Sequence, residues 1–234
     1  MDLTEAKVLV TGGSTGIGRE TARMLIEAGA KVAICARSEG TLEATANEIG
    51  AVPIPADVSN ESDVKRLVDA TVQSLGGYNT LINNAGFGRF SSLLDLEVDE
   101  FLSVWQTNVL GAMLVARESA RHFIPNGGGN IVNISSTAGS RGFPGGTAYV
   151  ASKFALGGMT ECWRSELRKH DIRVMQVNPS EVRTEFAANS GRDTPPPNPT
   201  KLHAEDIAHT ICGMLAMHDR GFTTEATVWA TNPK

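Results

Sequence analysis

Cysteine, basic charge and long apolar runs are all scarce in this chain. The 234 residues include only 3 cysteines, which excludes a disulfide-dense scaffold. No apolar run approaches the roughly 20 residues that a membrane-spanning helix needs. The formal net charge of -5 offers no basic surface for nucleic acid. We therefore expect neither a membrane nor a nucleic acid to be a partner.

Residues with the spacing of metal ligands are also missing. Cys35, Cys162 and Cys212 are far apart and lie in apolar contexts, so we interpret them as reduced core residues. The 5 histidines show no ligand spacing, and no metal is predicted. Residues 1–6 are acidic and lack the apolar core of a signal peptide. These features predict a cytoplasmic protein without a metal centre.

Short apolar segments alternate with helix-like segments along the whole chain. With 41% hydrophobic residues, the chain can bury one sizeable core. The alternation predicts an α/β fold, a doubly wound parallel sheet of about seven strands with helices on both faces, in one domain spanning residues 1–234. Ligands bind such sheets at the edge where the strands end. The predicted strands are 7–11, 31–35, 52–55, 80–83, 130–135, 172–178 and 226–230.

A glycine-rich segment follows the first predicted strand and precedes a helical pattern over residues 19–28. Glycines allow the backbone to turn tightly and approach an anion, and a helix N-terminus favours a pyrophosphate. This strand, loop and helix order predicts a dinucleotide site. Its candidate residues are Gly12, Ser14, Thr15, Gly16, Ile17 and Gly18.

Tyr149 and Lys153 are four residues apart in a helix-like segment, which places a phenol and an ammonium on one helix face. A tyrosine in water has a pKa of about 10, and lowering it to about 7 requires about 4 kcal/mol of preferential stabilisation of the phenolate. A nearby lysine charge supplies much of that stabilisation. The pair is therefore a candidate proton-transfer site.

The motifs together resemble the short-chain dehydrogenase/reductase family, in its single-domain branch, and relatives similar in pattern include 3-oxoacyl-carrier-protein reductases. The resemblance covers residues 7 to about 229 and rests on order and interval: Asn108 precedes Ser136 by 28 residues, and Ser136 precedes Tyr149 by 13. It implies a Rossmann-type fold and a nicotinamide cofactor. The motif residues are Thr11, Gly12, Gly16, Ile17, Gly18, Asn83, Asn84, Ala85, Gly86, Asn108, Ser136, Tyr149 and Lys153.

The resemblance implies a catalytic role for four of these residues. Tyr149 would donate a proton to the carbonyl oxygen as hydride arrives, and Ser136 would hold the same oxygen. Ser135 competes for that role, and the family interval selects Ser136. Lys153 would lower the Tyr149 pKa and bind ribose hydroxyls, while Asn108, in a helix through residues 104–120, would hold a water in a proton relay.

Cofactor preference is predicted from the end of the second strand. A carboxylate about 20 residues past the glycine loop would bind a ribose 2′-hydroxyl, but Ala36 and Arg37 stand there. An arginine fork pairs with a 2′-phosphate, so NADP(H) is favoured over NAD(H). The alternative is a solvated Arg37, since Thr15 is not the basic residue that some NADP-preferring relatives carry.

Other cofactor contacts are implied by the resemblance. Asp57 and Val58 would contact the adenine, although Asp57 could instead cap a helix starting near Ser59. The segment of Asn84, Ala85 and Gly86 would support the sheet and the cofactor ribose.

The loop after the sixth strand resembles the family segment that clasps the nicotinamide. Pro179, Val182 and Thr184 would contact the cofactor there, but Ser180 replaces the family's usual glycine and restricts the backbone. Residues 185–201 would form a short substrate lid, stiffened by prolines, or else a passive surface spacer.

The substrate is not specified by these motifs. The expected activity is reduction of a ketone or aldehyde, including a 3-oxoacyl thioester. The alternatives are a polyol, sugar or steroid-type alcohol dehydrogenase and a non-catalytic NADP-sensing protein. Docking an acyl carrier protein would need a basic patch, for which Arg164, Arg168 and Lys169 are candidates. The pocket candidates are Phe87, Arg89, Phe90, Phe143 and Phe186.

The helix over residues 149–168 carries more small and apolar surface than one sheet contact needs. The residues concerned are Phe154, Gly157, Gly158, Cys162 and Trp163. In the family, this helix and the one carrying Asn108 pack against their symmetry mates, which predicts a homodimer or homotetramer. The alternative is that these residues face only the sheet of their own subunit.

Overall fold

A computed structural model describes residues 1–191 and 200–232. The strands are β1 Lys7–Thr11, β2 Lys31–Ala36, β3 Val52–Pro55, β4 Thr80–Asn83, β5 Gly129–Ile134, β6 Ile172–Pro179, β7 Val182–Arg183, β8 Leu202–His203 and β9 Glu225–Val228. Seven of them form a parallel sheet with the order β3-β2-β1-β4-β5-β6-β9. A separate parallel pair joins β7 and β8.

Helices connect the strands. Asn60 begins one of them, because its side chain accepts hydrogen bonds from the Ser62 and Asp63 N–H groups. The same helix ends at Gly76 and another ends at Gly50, both in the left-handed conformation. The helices are α1 Gly16–Glu27, α2 Glu39–Ile49, α3 Glu61–Leu75, α4 Val98–Trp105, a π-helix Gln106–Gly111, α5 Ala112–Phe123, α6 Thr147–Leu167, α7 Phe186–Asn189 and α8 Ala204–Leu215.

Two apolar cores cover the opposite faces of the sheet. Alternation along β1 shows the division: Val8 and Val10 belong to one core and Leu9 to the other, because successive strand residues point to opposite faces. Leu25 of α1 packs in the first core, and Phe123 of α5 packs in the second. Burial on both faces explains why the strands read as continuous apolar runs.

The chain reverses its direction of winding between β1 and β4. Such a switch point opens a crevice at the carboxyl ends of the strands. The predicted doubly wound sheet is thus confirmed, with β5 and β9 each ending one or two residues earlier than expected. The single domain over residues 1–234 stays a prediction, and residues 192–199, which include most of the proline-rich part of the predicted lid, lie outside the described residues.

One sequence interpretation is wrong at this level. Cys35 is buried and Cys212 partly buried, but Cys162 is exposed, because it lies on the face of α6 opposite to the buried Leu156 and Thr160. The predicted helix around Asn108 is present, and residues Gln106–Gly111 within it form the π-helix. In the described part of the chain, no helix is long and apolar enough to cross a membrane.

Candidate active site

A cavity of about 1270 Å³ lies along the carboxyl ends of the strands. We call its part near β1, β2 and β3 the cofactor end and its part near β5, β6 and β9 the substrate end. Apart from Gly18 and Asn108, every predicted site residue lines it: Gly12, Ser14, Thr15, Gly16, Ile17, Arg37, Asp57, Val58, Asn84, Ala85, Gly86, Ser136, Tyr149, Lys153, Pro179, Val182 and Thr184.

The glycine loop at the cofactor end has the shape of an anion cradle. Gly16 has a φ of 54°, which side-chain-bearing residues rarely adopt. Gly18 packs behind the loop, where a Cβ would lie 2.3 Å from the Gly12 carbonyl oxygen. Thr15, the residue before α1, makes no side-chain cap hydrogen bond. The first N–H groups of α1 can therefore bind a pyrophosphate.

Side chains from other strands hold this loop in place. The Asn84 amide donates hydrogen bonds to the Thr11 and Gly12 carbonyl oxygens, at 3.0 and 3.1 Å. The Thr11 hydroxyl accepts from the Asn84 and Ala85 N–H groups. Thr45 of α2 donates to the Ser14 carbonyl oxygen at 2.9 Å. These hydrogen bonds fix the shape of the cradle.

The adenosine side of the cofactor end carries Arg37 and Asp57. Arg37 is exposed, and no carboxylate of the described residues lies within ion-pair distance of it. Asp57 accepts hydrogen bonds from the Ser59 N–H group and hydroxyl, a turn that precedes α3. The capping alternative for Asp57 is wrong, since α3 begins later and Asn60 caps it.

Tyr149 stands near the start of α6 between two aromatic rings. The ring centroids of Phe90 and Phe186 lie 5.6 and 5.4 Å from that of Tyr149. Burial raises the pKa of Tyr149 to about 12, and a hydrogen bond with Ser136 opposes this rise by a smaller amount. Tyr149 therefore keeps its proton at neutral pH.

Lys153 lies one turn further along α6 and is buried. Its Nζ donates a 2.8 Å hydrogen bond to the Ile134 carbonyl oxygen and lies 5.7 Å from the centroid of the Tyr149 ring. Burial lowers the pKa of Lys153 to about 8. In this structure burial sets the direction of the net Tyr149 pKa shift, and the role of Lys153 in lowering that pKa stays a prediction.

Asn108 lies behind the cavity wall, only 2% exposed. Its Oδ1 accepts from the Phe87 N–H, and its Nδ2 donates to the Phe87 carbonyl oxygen and to Ser152. Ser152 in turn donates to the Tyr149 carbonyl oxygen at 2.7 Å. Asn108 sits within the π-helix, a form often found at functional sites, and it links the Phe87 loop to the start of α6.

The substrate end is lined by the predicted pocket residues Phe87, Arg89, Phe90, Phe143 and Phe186. Two further residues there were missed by the sequence reasoning. The Arg141 guanidinium lies 5.0 Å from the centroid of the Trp229 ring, and both residues line the cavity. The sequence signal that could have identified Arg141 is its position between the predicted catalytic residues Ser136 and Tyr149.

The loop after β6 passes over the cavity. Ser180 donates its N–H to the Val228 carbonyl oxygen at 2.9 Å and has no positive φ, so the backbone here does not need glycine. Phe186 packs on Tyr149, and the Ser190 hydroxyl accepts from the Gly88 N–H. Of the predicted lid, Phe186 thus lines the substrate end, and Ser190 contacts the loop that carries Phe87.

Among the residues that the structure describes, no group of three His, Cys, Asp or Glu side chains is close enough together to hold a metal ion.

The basic candidates for carrier docking lie away from the substrate end. Arg168 and Lys169 follow the far end of α6, which at 21 residues spans about 30 Å from Tyr149. Arg164 donates to the Val174 and Thr224 carbonyl oxygens instead.

The profile of the short chain dehydrogenase family matches residues 6–195. This chain belongs to that family. It is 31% identical over 229 residues to an uncharacterized oxidoreductase of Staphylococcus aureus strain USA300, covering 97% of both chains. It is 33% identical to an uncharacterized oxidoreductase of Bacillus subtilis, covering 79% of this chain and spanning 54% of that relative's length.

Solved structures of short chain dehydrogenases share the fold. An alcohol dehydrogenase from Thermococcus sibiricus, complexed with 5-hydroxy-NADP, is 25% identical with a TM-score of 0.88, covering 97% of this chain and 98% of its own. A 3-ketoacyl-(acyl-carrier-protein) reductase from Brucella melitensis, complexed with NADH, is 29% identical with a TM-score of 0.85, covering 96% of both. The family therefore supplies NAD(P)-dependent oxidoreductase chemistry on alcohol and carbonyl groups.

Proposed function

We propose that this chain is an NADP(H)-dependent reductase of a ketone or aldehyde. The observation that carries the proposal is the convergence of Tyr149, Ser136 and Lys153 on one cavity whose other end is an anion cradle. The bound nicotinamide would supply the hydride. The protein would bind the substrate, orient its carbonyl and deliver the proton.

The proton would come from Tyr149, with Ser136 holding the same carbonyl oxygen. A phenol with a pKa raised to about 12 is fully protonated at neutral pH, and it can still protonate an alkoxide, which is a much stronger base. Reduction uses the protonated phenol, and oxidation of an alcohol uses the phenolate. The oxidative alternative is a polyol, sugar or steroid-type alcohol dehydrogenase, and the direction of the reaction is decided by the test below.

Lys153 and Asn108 would support this chemistry through their contacts with the cofactor, Tyr149 and the start of α6. Lys153 would bind the ribose hydroxyls and, with its ammonium near the ring, stabilise negative charge that develops on Tyr149. Asn108 would position the start of α6 through Ser152 and hold a water for the proton relay.

Preference for NADP(H) rests on Arg37. Its exposed guanidinium lines the cofactor end, and the neighbouring Ala36 brings no charge that would repel a 2′-phosphate. A charge-assisted pair with that phosphate contributes about 1.5–3 kcal/mol. The two solved relatives were complexed with an NADP derivative and with NADH, so the proposed preference is argued from Arg37 and Ala36 and not from these relatives.

The test is the oxidation of NADPH, followed by its absorbance, with a panel of aromatic and aliphatic ketones, beside the reverse assay with NADP⁺ and the matching alcohols. We expect faster turnover in the reductive direction at neutral pH. Tight NADPH binding without turnover of any ketone or alcohol would contradict the proposal and favour a cofactor-sensing protein.

A further inference from the structure

The substrate end of the cavity contains a cation that the proton-transfer chemistry does not use. Arg141 is exposed on the cavity wall, and its guanidinium stacks on the Trp229 ring. No carboxylate of the described residues lies within ion-pair distance of it. An arginine that is held on an aromatic ring presents a preorganised fork to a planar anion.

Arg141 is too far from the cofactor end to bind the phosphates there. Arg37 follows β2 and Trp229 follows β9, and the sheet order separates these strands by five spacings, or roughly 24 Å at about 4.8 Å each. The glycine loop follows β1, which is four spacings from β9, or roughly 19 Å. The anion that fits Arg141 therefore belongs to the substrate.

The space between Tyr149 and Arg141 is apolar. Phe143 stacks on Phe90 with 6.2 Å between ring centroids, and Phe90 packs on Tyr149. Ser136, which is hydrogen-bonded to Tyr149, follows β5, and Trp229 follows β9; these two strands are two spacings apart, or about 10 Å. An apolar spacer about the size of one aromatic ring fits between a carbonyl at Tyr149 and an anion at Arg141.

The two carboxylates of the described residues that line this part of the cavity are both directed away from Arg141. Glu181 forms an ion pair with Lys201. The Glu185 carboxylate is directed toward Gly16, 3.6 Å from where a Cβ on that residue would stand. A cationic mouth on a chain with a net charge of -5 attracts a small anion by local rather than overall charge.

We propose that the substrate is a keto acid in which an aryl or alkyl spacer separates the carbonyl from a carboxylate, and that Arg141 determines this specificity. The proposal rests on the reductase function above for the carbonyl. The carboxylate would form a bidentate pair with Arg141, while the spacer packs on Phe90 and Phe143.

Calorimetric titration of the protein–NADP⁺ complex tests this without depending on turnover. The probes are 4-acetylbenzoate and the neutral 4-acetylbenzamide, which have nearly the same shape. We expect the carboxylate to bind roughly five to ten times more tightly, equivalent to about 1.0–1.4 kcal/mol, with the ratio falling as salt is added. Arg141→Met should bring the ratio close to one, and Arg141→Lys should retain part of it, since only the charge remains.

Arg168→Met is the matched control, because Arg168 is exposed at the opposite edge of the sheet, and the parental ratio should persist in that variant. Equal Kd values for the two probes in the parent, no measurable binding of 4-acetylbenzoate, or an unchanged ratio in Arg141→Met would overturn the proposal. Turnover of 4-acetylbenzoate and its methyl ester is measured separately. Absence of turnover with both, beside a binding ratio that depends on Arg141, would count against the reductase function and not against the anion site.

Discussion

At the cofactor end of the cavity, backbone atoms approach one another closely, whereas at the substrate end, long side chains reach in from separate loops. A Cβ on Gly18 would lie 2.3 Å from the Gly12 carbonyl oxygen and 2.6 Å from Asn84 Nδ2. By contrast, Phe143 is 45% exposed and Trp229 is 54% exposed. One end is a close-packed cradle, and the other is an adaptable surface.

The difference explains why one end can be assigned from the sequence more easily than the other. A close backbone approach requires glycine at fixed positions, so the cradle leaves a recognisable motif. Apolar walls accept many side chains of similar volume, and loops carry substrate contacts on a rigid scaffold. The reaction class therefore follows from motifs, while substrate preference depends on residues such as Arg141.

The largest expected effect is on turnover, and it comes from replacing Tyr149, which lies where the two ends of the cavity meet. Tyr149→Phe should lower turnover by about 10²–10⁴-fold, because the proton donor is lost, while the Kd for NADPH changes by no more than about twofold. Steady-state kinetics and calorimetry measure the two quantities.

Tyr78→Phe is the matched control, since the chain has only 2 tyrosines. Tyr78 is buried and bonded to the Ser119 hydroxyl, so its variant should lose about 1 kcal/mol of stability and keep parental turnover. Parental turnover in Tyr149→Phe would remove Tyr149 from the mechanism.

The second prediction concerns the cradle. Gly18→Ala should weaken NADPH binding at least about tenfold and lower the free energy of unfolding by about 1–3 kcal/mol, since the added Cβ has no space beside the Gly12 carbonyl. Gly213→Ala in α8 is the control, because a Cβ there meets nothing within 4 Å and should stabilise the helix by about 0.5–1 kcal/mol. Equal stability of the two variants would show that the close packing is not needed.

The third prediction isolates one charge at the cofactor end. The parent should bind NADPH more tightly than NADH by about 1–3 kcal/mol, and Arg37→Asp should reverse the preference by repelling the 2′-phosphate. Turnover with saturating NADH should change little, because Arg37 is remote from Tyr149. Arg168→Asp, with the same charge change at the far edge, should leave both Kd values unchanged. Equal parental affinities for the two cofactors would contradict the assignment.

The smallest expected effect concerns assembly. Phe154 is 48% exposed, and Trp105 and Leu110 are each 38% exposed, which supports the predicted homodimer or homotetramer through α6 and the helix carrying Asn108. Phe154→Arg should give monomers in sedimentation velocity with turnover lowered a few-fold, and Met217→Arg, on another exposed apolar residue, should not. A fully active parental monomer would contradict the prediction.

Trp163, another of the small and apolar α6 residues named in the sequence analysis, is not suited to that test. It is only partly exposed and packs against the apolar core of its own subunit. Replacing it with arginine would disturb folding as well as any interface. The alternative in which these α6 residues face only their own sheet therefore holds for Trp163, while Phe154 and Cys162 point outward.

Several features could be predicted because they depend on short stretches of chain. The strand segments were located by apolar runs bounded by turn residues, and the glycine loop by its place between β1 and α1. The π-helix at Asn108 could not be predicted, since it accompanies hydrogen bonds to the Phe87 backbone, a contact 21 residues away. The Tyr149 pKa could not be predicted either, because it depends on burial by Phe90 and Phe186.

Local conformation follows from the sequence alone: the glycines of the cradle and the spacing that puts Tyr149 and Lys153 on one face. These follow from backbone sterics and helical periodicity, which act within a few residues. The contact of Arg141 with Trp229 and the hydrogen bond from Lys153 to the Ile134 carbonyl oxygen depend on the tertiary structure. Such contacts arise when the sheet order brings distant loops to one edge, and that order is set by packing of the whole chain.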